Sequence, residues 1–488
     1  MRDKKTYLDF DISIGGRNAI RELNTLGHIP LIVGGAVRDS ILDIPCKDID
    51  IEVYHVSYDR LEEILSRHGT INIVGKAFGI IKFKCFNGME YDFSVPRTEN
   101  KIGVGHKGFE VSVDPFLTPE KAAKRRDFTI NTLAYDLIGE ELYDFYGGKA
   151  DLSNGVIKHT SEQFSEDPLR VLRALQFQCR FGFDIHEDTW SLMEEMVTLG
   201  TLKDLPKERI CEEWTKWAVK GRHHHRVFEF LRRTGMELGD LTKMIDTEQE
   251  AEWHPEGNVE VHTIHVMEEA LRIADREDLQ GDDRAVLIFS ALLHDIAKPA
   301  TTKVIDGRIT SRNHEPMGEP MAHDILTQMG IKQSIKDKVG CLIANHLKHV
   351  SIFNEKINPS KATKTLARKL FKKGTSIAEL LLLIEADASG RPPLPKGLPE
   401  SGKHLKKLAE TIEVITEPTP DIVMGRHLIE WGIKPSPEFG VILKAARDAQ
   451  DSGMFNDLVG GMTFVSTMTN IKPHRFSHDD DAKMGISQ

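Results

Sequence analysis

Two aspartates one residue apart, Asp48 and Asp50, follow a glycine pair in the stretch "LIVGGAVRDSILDIPCKDIDIEV". In "KDIDIEV", strict alternation puts Asp48, Asp50 and Glu52 on one face of a strand and Ile49, Ile51 and Val53 on the other. Residues i and i+2 of a strand lie about 7 Å apart, so two carboxylates can lean toward one ion. Carboxylates that close repel unless a proton or a cation neutralises them. Oxygen ligands of this kind suit Mg2+, which keeps waters and substrate phosphates in its other positions. Two such ions about 3.5–4 Å apart would stabilise both the attacking and the leaving oxygen of a phosphoryl displacement. The glycines fit the same chemistry: Gly34 and Gly35 let backbone N–H groups approach a polyphosphate. "AVRDSILD" then reads as a helix whose N-terminus favours anions, with Arg38 in its first turn able to fork onto phosphate. Alternation alone also fits an edge strand with one wet face. The joint arrangement is more specific.

A second constellation lies downstream. "VHTIHVMEEAL" and "ALLHDIAKP" stand about 30 residues apart, and His294-Asp295 interrupts an apolar helix. A buried charge needs a partner, and imidazole with carboxylate makes a hydrolytic metal site. A third pattern is "SEDPLRVLRALQF", which begins like a helix with Ser165 as N-cap and Pro168 in the first turn. Asp167 and Arg170 are three apart and share a face. An aspartate only accepts and an arginine only donates, so together they match the amine and ring nitrogen that cytosine and adenine present. Uracil and guanine would leave the aspartate facing a carbonyl, a mismatch of about 1–3 kcal/mol. An i,i+3 Asp–Arg pair is also what a surface helix salt bridge looks like.

These side chains need a scaffold. Residues 1–150 mix short β-rich runs with turns ("IPLIVGG", "KDIDIEVY", "GIIKFKCF", "MEYDFSV") and read as an α/β domain. From about residue 160 the apolar spacing becomes helical. "RPPLPKGLPESG" (391–402) reads as a linker or irregular connection, followed by a last helical segment to about residue 455 and a polar end. The "HHH" run at 223–225 is expected on an exposed helix surface. Lys361, Lys364, Arg368 and Lys372 recur at helical spacing and form one cationic stripe.

Composition sets the outer limits. A chain of 488 residues suggests about three domains. A net charge of −11 argues against a protein that coats nucleic acid indiscriminately. No apolar run approaches the roughly 20 residues of a membrane span, and the start lacks the apolar core of a secretory signal. Five scattered cysteines suit reduced thiols in a cytoplasm.

Several motifs carry a family resemblance. "LIVGGAVRD…KDIDIEV" resembles the signature of the class II nucleotidyltransferases, the superfamily of tRNA CCA-adding enzymes and bacterial poly(A) polymerases. "VGKAFGIIKF", "YDFSVPRTE", "RRDFTINTLAYD", "YDFYGGKADL", "EDPLRVLRALQF" and "LPKERICEE" follow in the family's order. The run His262, His294-Asp295, His314, His346 and Asp387 resembles the HD phosphohydrolase superfamily. "EWHPEGNVEVHT" and "GRHLIEWGIKPSPEFGVIL" resemble bacterial CCA-adding enzymes that contain an HD domain.

The resemblance implies an α/β nucleotidyltransferase head (a small mixed sheet with helices) at 1–152. It implies mainly α-helical domains after it: a neck at 153–250, an HD domain at 251–395, a tail at 400–460 and a polar extension at 461–488. It implies Mg2+ on Asp48 and Asp50, with Asp92 as base or further ligand. Gly34, Gly35, Arg38, Arg126, Asp127, Asn131 and Arg173 would contact or brace the nucleotide, and Asp167 with Arg170 would template CTP and ATP. Gln176 stands where the family often carries another arginine. The six HD residues would hold a divalent transition metal or Mg2+, while His265, His323 and His349 are expected to be structural. The implied partner is tRNA, gripped by shape and backbone, with the cationic stripe as a candidate contact; the chain would be a monomer or homodimer. Poly(A) polymerase, or an RNA-directed phosphatase or 2′,3′-cyclic phosphodiesterase, is the alternative activity.

Overall fold

A computed structural model describes residues 8–46, 48–75, 79–101, 109–354 and 356–469. The chain divides into two compact units, residues 1–242 with 328–331, and residues 243–327 with 332–488.

The first unit is built on a seven-stranded mixed sheet. Its strands are β1 (Ile29–Val33), β2 (Asp50–Tyr54), β3 (Gly69–Gly75), β4 (Ile80–Cys85) and β5 (Glu90–Ser94), then, after a separate hairpin of β6 (Arg97–Lys101) and β7 (Phe109–Val113), β8 (Ala134–Asp136) and β9 (Glu141–Tyr143). The order across the sheet is β3-β4-β5-β2-β1-β8-β9. β1 and β2 run antiparallel, and β2 pairs in parallel with β5, with Asp50 opposite Asp92. β1 is buried on both faces after its first residue, as a central strand of apolar and β-branched residues should be. Leu31, Val33, Tyr54, Ala122 and Ala134 form one core cluster beneath it.

Helices complete this unit. The helix Leu169–Phe181 buries Val171, Leu172, Ala174, Leu175 and Cys179, an i, i+3, i+4 apolar stripe, against the helices Lys207–Lys220 and Arg226–Thr234. It stops at Gly182, whose φ of +73° suits a left-handed cap. Its start differs from expectation. Residues Glu162–Glu166 form a 3-10 turn, the N-cap is Pro168, and Ser165 Oγ donates to the Glu162 carbonyl instead of capping the helix. The histidine run differs too. Residues 221–225 lie between helices, and His224 is buried, donating from Nε2 to the Trp217 carbonyl at 3.0 Å.

The second unit is helical. Val259–Arg276, Gly281–Leu293, Gln333–Ile343 and Ile377–Ser389 pack on one another. The Gly281–Leu293 helix is apolar nearly all round, so it runs through the middle of the unit. The proline-rich stretch is no free linker: Lys396 Nζ meets Glu269 at 2.6 Å, Gly397 N–H donates to Ser389 Oγ, and the helix Glu400–Thr411 has begun by residue 400. The helices Gly425–Glu430, Glu438–Asp451 and Leu458–Thr469 form a small terminal core on Leu428, Trp431, Ile442, Met462 and Val465. The last helix therefore passes the expected boundary at 460, because Met462 and Val465 are needed to close that core. Among the described residues, no helix is long and apolar enough to cross a membrane.

Candidate active site and metal centre

In the first unit the carboxylates gather at one end of β2. Asp48 lies just before the strand and Asp50 opens it; both are exposed. The parallel register sets Asp92 beside Asp50, with Lys82 Nζ 4.0 Å from Asp92. Glu52, two residues on, turns inward, is buried, and accepts from Tyr54 Oη at 2.6 Å. The open end of the strand keeps Asp50 in reach of solvent, yet protein surrounds most of it. Burial, together with the carboxylates of Asp92, Asp48 and Glu52, pushes the Asp50 carboxyl up to about 6 against the pull of Arg126. Crowded oxygen donors that resist holding their own negative charge are what a hard divalent cation relieves.

Gly34 ends β1 with φ +70°. A Cβ there would lie 2.6 Å from Arg126 Nη1, so the guanidinium rests on the bare glycine. Arg126 also reaches the Asn131 carbonyl at 3.3 Å and Glu52 at 3.6 Å. Gly35 begins a helix of 7 residues, Gly35–Ile41. Arg38 does not stand open toward a phosphate. It is buried, bonded to Asn131 Oδ1 at 2.5 Å and Asp39 Oδ1 at 2.7 Å, with the Phe177 and Phe181 rings each 5.0 Å away. Its position in the first helical turn points it toward the helix Leu169–Phe181, where only tertiary neighbours decide its partners.

Asp127 and Asn131 form the brace expected of them. Asp127 accepts from Asn131 Nδ2 at 2.8 Å, from the Phe128 N–H at 2.8 Å, and from Arg173 Nε at 2.7 Å. Burial would raise this carboxyl, but Arg173, Asn131 and Phe128 hold it below its usual value. Arg173 is thus forked onto Asp127 rather than free for a sugar, and Glu213 lies 3.6 Å from it. Asp167 and Arg170 share a face without pairing to each other: Asp167 accepts from the Leu169 N–H and from Arg209 Nη2, while Arg170 donates to the carbonyls of Gln163 and Arg125. Gln176 is buried.

The second unit brings His262, His294, Asp295, His314, His346 and Asp387 around one point, and all are buried. His294, His314 and His346 donate Nδ1–H to the backbone carbonyls of Ala291, Ser311 and Ile343. Each therefore keeps a lone pair on Nε2. His262 Nδ1 is 2.8 Å from Glu256 Oε1, which leaves Nε2 of His262 and Nε2 of His294 facing each other at 3.2 Å. Asp387 Oδ1 lies 3.2 Å from the same His262 Nε2, so two ring nitrogens and a carboxylate oxygen converge at a spacing that one cation can bridge. Asp295 sits among them, 3.1 Å from His294 and 3.3 Å from His314, and neither of its oxygens accepts a well-aligned hydrogen bond, although Lys298 Nζ is 2.7 Å away. Burial, with His294 and His314 beside it, pushes the His346 imidazole down to about 3, so the ring is neutral. The donor set fits a divalent ion that accepts nitrogen and oxygen. A cavity of about 490 Å³ opens on this cluster and is also lined by His349, expected to be only structural. His265 faces Glu268 and His323 faces Gln333, away from the cluster.

Several partners escaped the sequence reading. Arg209 reaches Asp167 and Glu213 reaches Arg173 from a separate helix, whereas Glu256 stands close before His262 in the chain. All three fall inside the quoted "LPKERICEE" and "EWHPEGNVEVHT", but the spacing of those motifs does not say which side chain each one holds. Lys298 is different: three residues after Asp295 in "HDIAK", it stood at helical spacing beside a buried charge.

Comparisons with known proteins match separate family models to separate stretches of the chain. Residues 31–158 match the family described as the poly A polymerase head domain, residues 182–237 the probable RNA and SrmB-binding site of polymerase A, and residues 259–388 the HD domain. The chain is 34% identical over 367 residues to the multifunctional CCA protein of Actinobacillus pleuropneumoniae serotype 5b (strain L20), covering 74% of this chain and 85% of that one. In fold it resembles the Bacillus stearothermophilus CCA-adding enzyme solved with CTP (TM-score 0.60, 21% identity, 94% of this chain and 100% of that one). It also resembles the Thermotoga maritima CCA-adding enzyme solved with tRNA (TM-score 0.54, 20% identity, 94% and 96%).

Proposed function

Because this chain belongs to the family of the multifunctional CCA proteins, we propose that it builds or repairs the 3′-terminal CCA of tRNA from CTP and ATP, and that its HD unit is a metal-dependent phosphohydrolase. The observation that carries the first activity is the register pair Asp50–Asp92, with Asp48 two residues before Asp50 and both neighbouring carboxylates acting on the Asp50 charge. Asp48, Asp50 and Asp92 would hold Mg2+; such ions, when bound, make an RNA 3′ hydroxyl a better nucleophile and neutralise the triphosphate. Arg126, resting on Gly34, is placed to orient phosphate or ribose, and the Asp127–Asn131–Arg173 network holds that turn against the base-reading helix.

Base choice belongs to Asp167 and Arg170. Arg209 fixes the Asp167 carboxylate as an acceptor, and Arg170 retains N–H groups beyond the two spent on carbonyls. Selection by unmet polar groups follows from that donor–acceptor pair. Arg38 is assigned to structure, tying the glycine turn to the neck. At the HD centre the six ligands suit a divalent transition metal or Mg2+, supported by the facing Nε2 atoms of His262 and His294. We divide the chain into head (1–152), neck (153–250), HD domain (251–395) and tail (from 400). Five free cysteines fit a reducing cytoplasm.

The experiment is direct. Purified protein with CTP, ATP and a tRNA lacking its 3′ end should add three nucleotides and stop. A long adenylate tract would instead make it a poly(A) polymerase, and no addition would overturn the reading.

A further inference from the structure

Trp190, Trp214, Trp217 and Trp431 are buried, but Trp253 is 59% exposed. It lines the cavity that opens on the imidazole–carboxylate cluster, at residues 249–254 just before the helix that carries His262. Among the described residues, no ring, cation or hydrogen-bond acceptor partners its indole. Its backbone is nonetheless firmly held. The Trp253 and His254 N–H groups both donate to the Glu250 carbonyl, and Glu250 Oε2 accepts the Ile309 N–H from the facing hairpin. His254 in turn meets Glu256, the residue that orients His262. An aromatic side chain left bare on an anchored backbone costs hydration and gains little from the fold itself.

The same cavity holds cations at its depth. Arg391 grips Asp387 at 2.8 Å through Nη2, while its Nε is buried with no hydrogen-bond partner; Lys298 lies beside Asp295. Val350, 63% exposed, and Leu347 add an apolar wall. A volume of about 490 Å³ falls within the roughly 300–1,000 Å³ of small-molecule sites. Cations and metal ligands at the bottom call for a phosphoryl group, and a bare indole at the mouth calls for a flat ring.

We propose that Trp253 is the base platform of the HD site: the nucleobase of a ribonucleotide stacks on its indole while the ribose phosphate reaches Arg391 and the His262–His294–Asp295 cluster. The inference rests on the phosphohydrolase reading of this unit and adds the residue that sets its preference for nucleotides over other phosphate esters. The base can come from a free nucleotide or from an RNA terminus, since both present the same ring and phosphate.

The test uses full-length, metal-loaded protein and the variants Trp253→Ala and Trp253→Phe, with three substrates: ribose 5-phosphate, adenosine 2′,3′-cyclic phosphate, and a short oligoribonucleotide ending in the cyclic phosphate. Loss of one stacked base should raise KM by about tenfold or more. The rise is expected in Trp253→Ala for the nucleotide substrates, with ribose 5-phosphate unchanged and Trp253→Phe close to wild type. A rise for the mononucleotide places a free nucleotide on the indole; a rise confined to the oligoribonucleotide places an RNA terminus there. Equal effects on all three substrates, or none, would overturn the proposal. Calorimetric binding of adenosine 2′-phosphate supplies a readout without turnover, and Trp253→Ala should weaken it to the same degree. If wild type hydrolyses nothing yet binding falls in Trp253→Ala, the phosphohydrolase reading fails and the platform stands. If hydrolysis proceeds and binding is unaltered, the platform fails alone.

Discussion

The Asp167 carboxylate is held by Arg209, 42 residues away, at 2.7 Å, and not by Arg170 one helical turn along. The two side chains that would read a base are thus positioned independently, one by a neighbouring helix and the other by the carbonyls of Gln163 and Arg125. Arg209→Ala should let the carboxylate rotate and lower the CTP-over-UTP ratio of kcat/KM by about tenfold or more, the size of one charge-assisted hydrogen bond of about 1.5–3 kcal/mol. Arg170→Ala should lower it further. Incorporation assays with each triphosphate check this, and an unaltered ratio in both variants would remove the template role.

The two centres should fail separately. Asp50→Ala is expected to abolish nucleotide addition by at least a thousandfold while leaving phosphohydrolysis intact, because the oxygen cluster loses its central member. Asp295→Ala should do the reverse, because it removes the carboxylate that three imidazoles surround. Both activities measured on both proteins, with metal content by elemental analysis, decide the matter; joint loss in each variant would show one site or one folding defect.

Gly34→Ala confronts two separate costs. At φ +70° and ψ −127° the backbone lies outside the left-handed helical region, so a side chain there costs about 1–3 kcal/mol, and the new methyl would displace the Arg126 guanidinium. The second cost is small for stability, since a long side chain can swing away. The expected outcome is a thermal midpoint lowered by a few degrees and a raised KM for both triphosphates.

The cationic stripe divides in two. Arg368 donates to Asp421 at 2.5 Å and to both oxygens of Asp451, which also ties the helix Pro359–Phe371 to Glu438–Asp451. Breaking a mostly buried pair by removing one partner costs about 3 kcal/mol. Arg368→Ala should therefore destabilise the second unit by about that amount in urea titrations, and Lys364→Ala by less than about 0.5 kcal/mol. If the stripe contacts tRNA, Lys364→Ala should instead raise KM for tRNA and flatten its salt dependence.

Acid should find the Asp127 network. Its folded carboxyl sits below the ordinary value of about 3.9, held there by Arg173, Asn131 and Phe128 against burial. The stability it adds is present above the unfolded value and is lost as the pH falls through the lower, folded one. Arg173→Met should abolish that part of the acid dependence, measured as the urea midpoint between about pH 5 and pH 2.

Much of this was legible along the chain. The alternation of "KDIDIEV", the glycine pair and the intact His294-Asp295 doublet are local patterns, and local patterns survive in a string because spacing along a strand or helix is set by covalent geometry. They were enough to single out the carboxylates around Asp50, the imidazole–carboxylate cluster around His294-Asp295, and the turn from α/β to helical architecture. Partners were another matter. That Asp92 stands beside Asp50 depends on β2 and β5 running parallel; that Arg38 turns inward depends on Phe177 and Phe181 arriving from a helix 140 residues on; that Ser165 is no cap depends on a 3-10 turn preferred by the packing of Phe164. Which residue answers a given charge is decided by contacts between distant segments, whose energies no window of sequence contains, and only the tertiary fold supplies them.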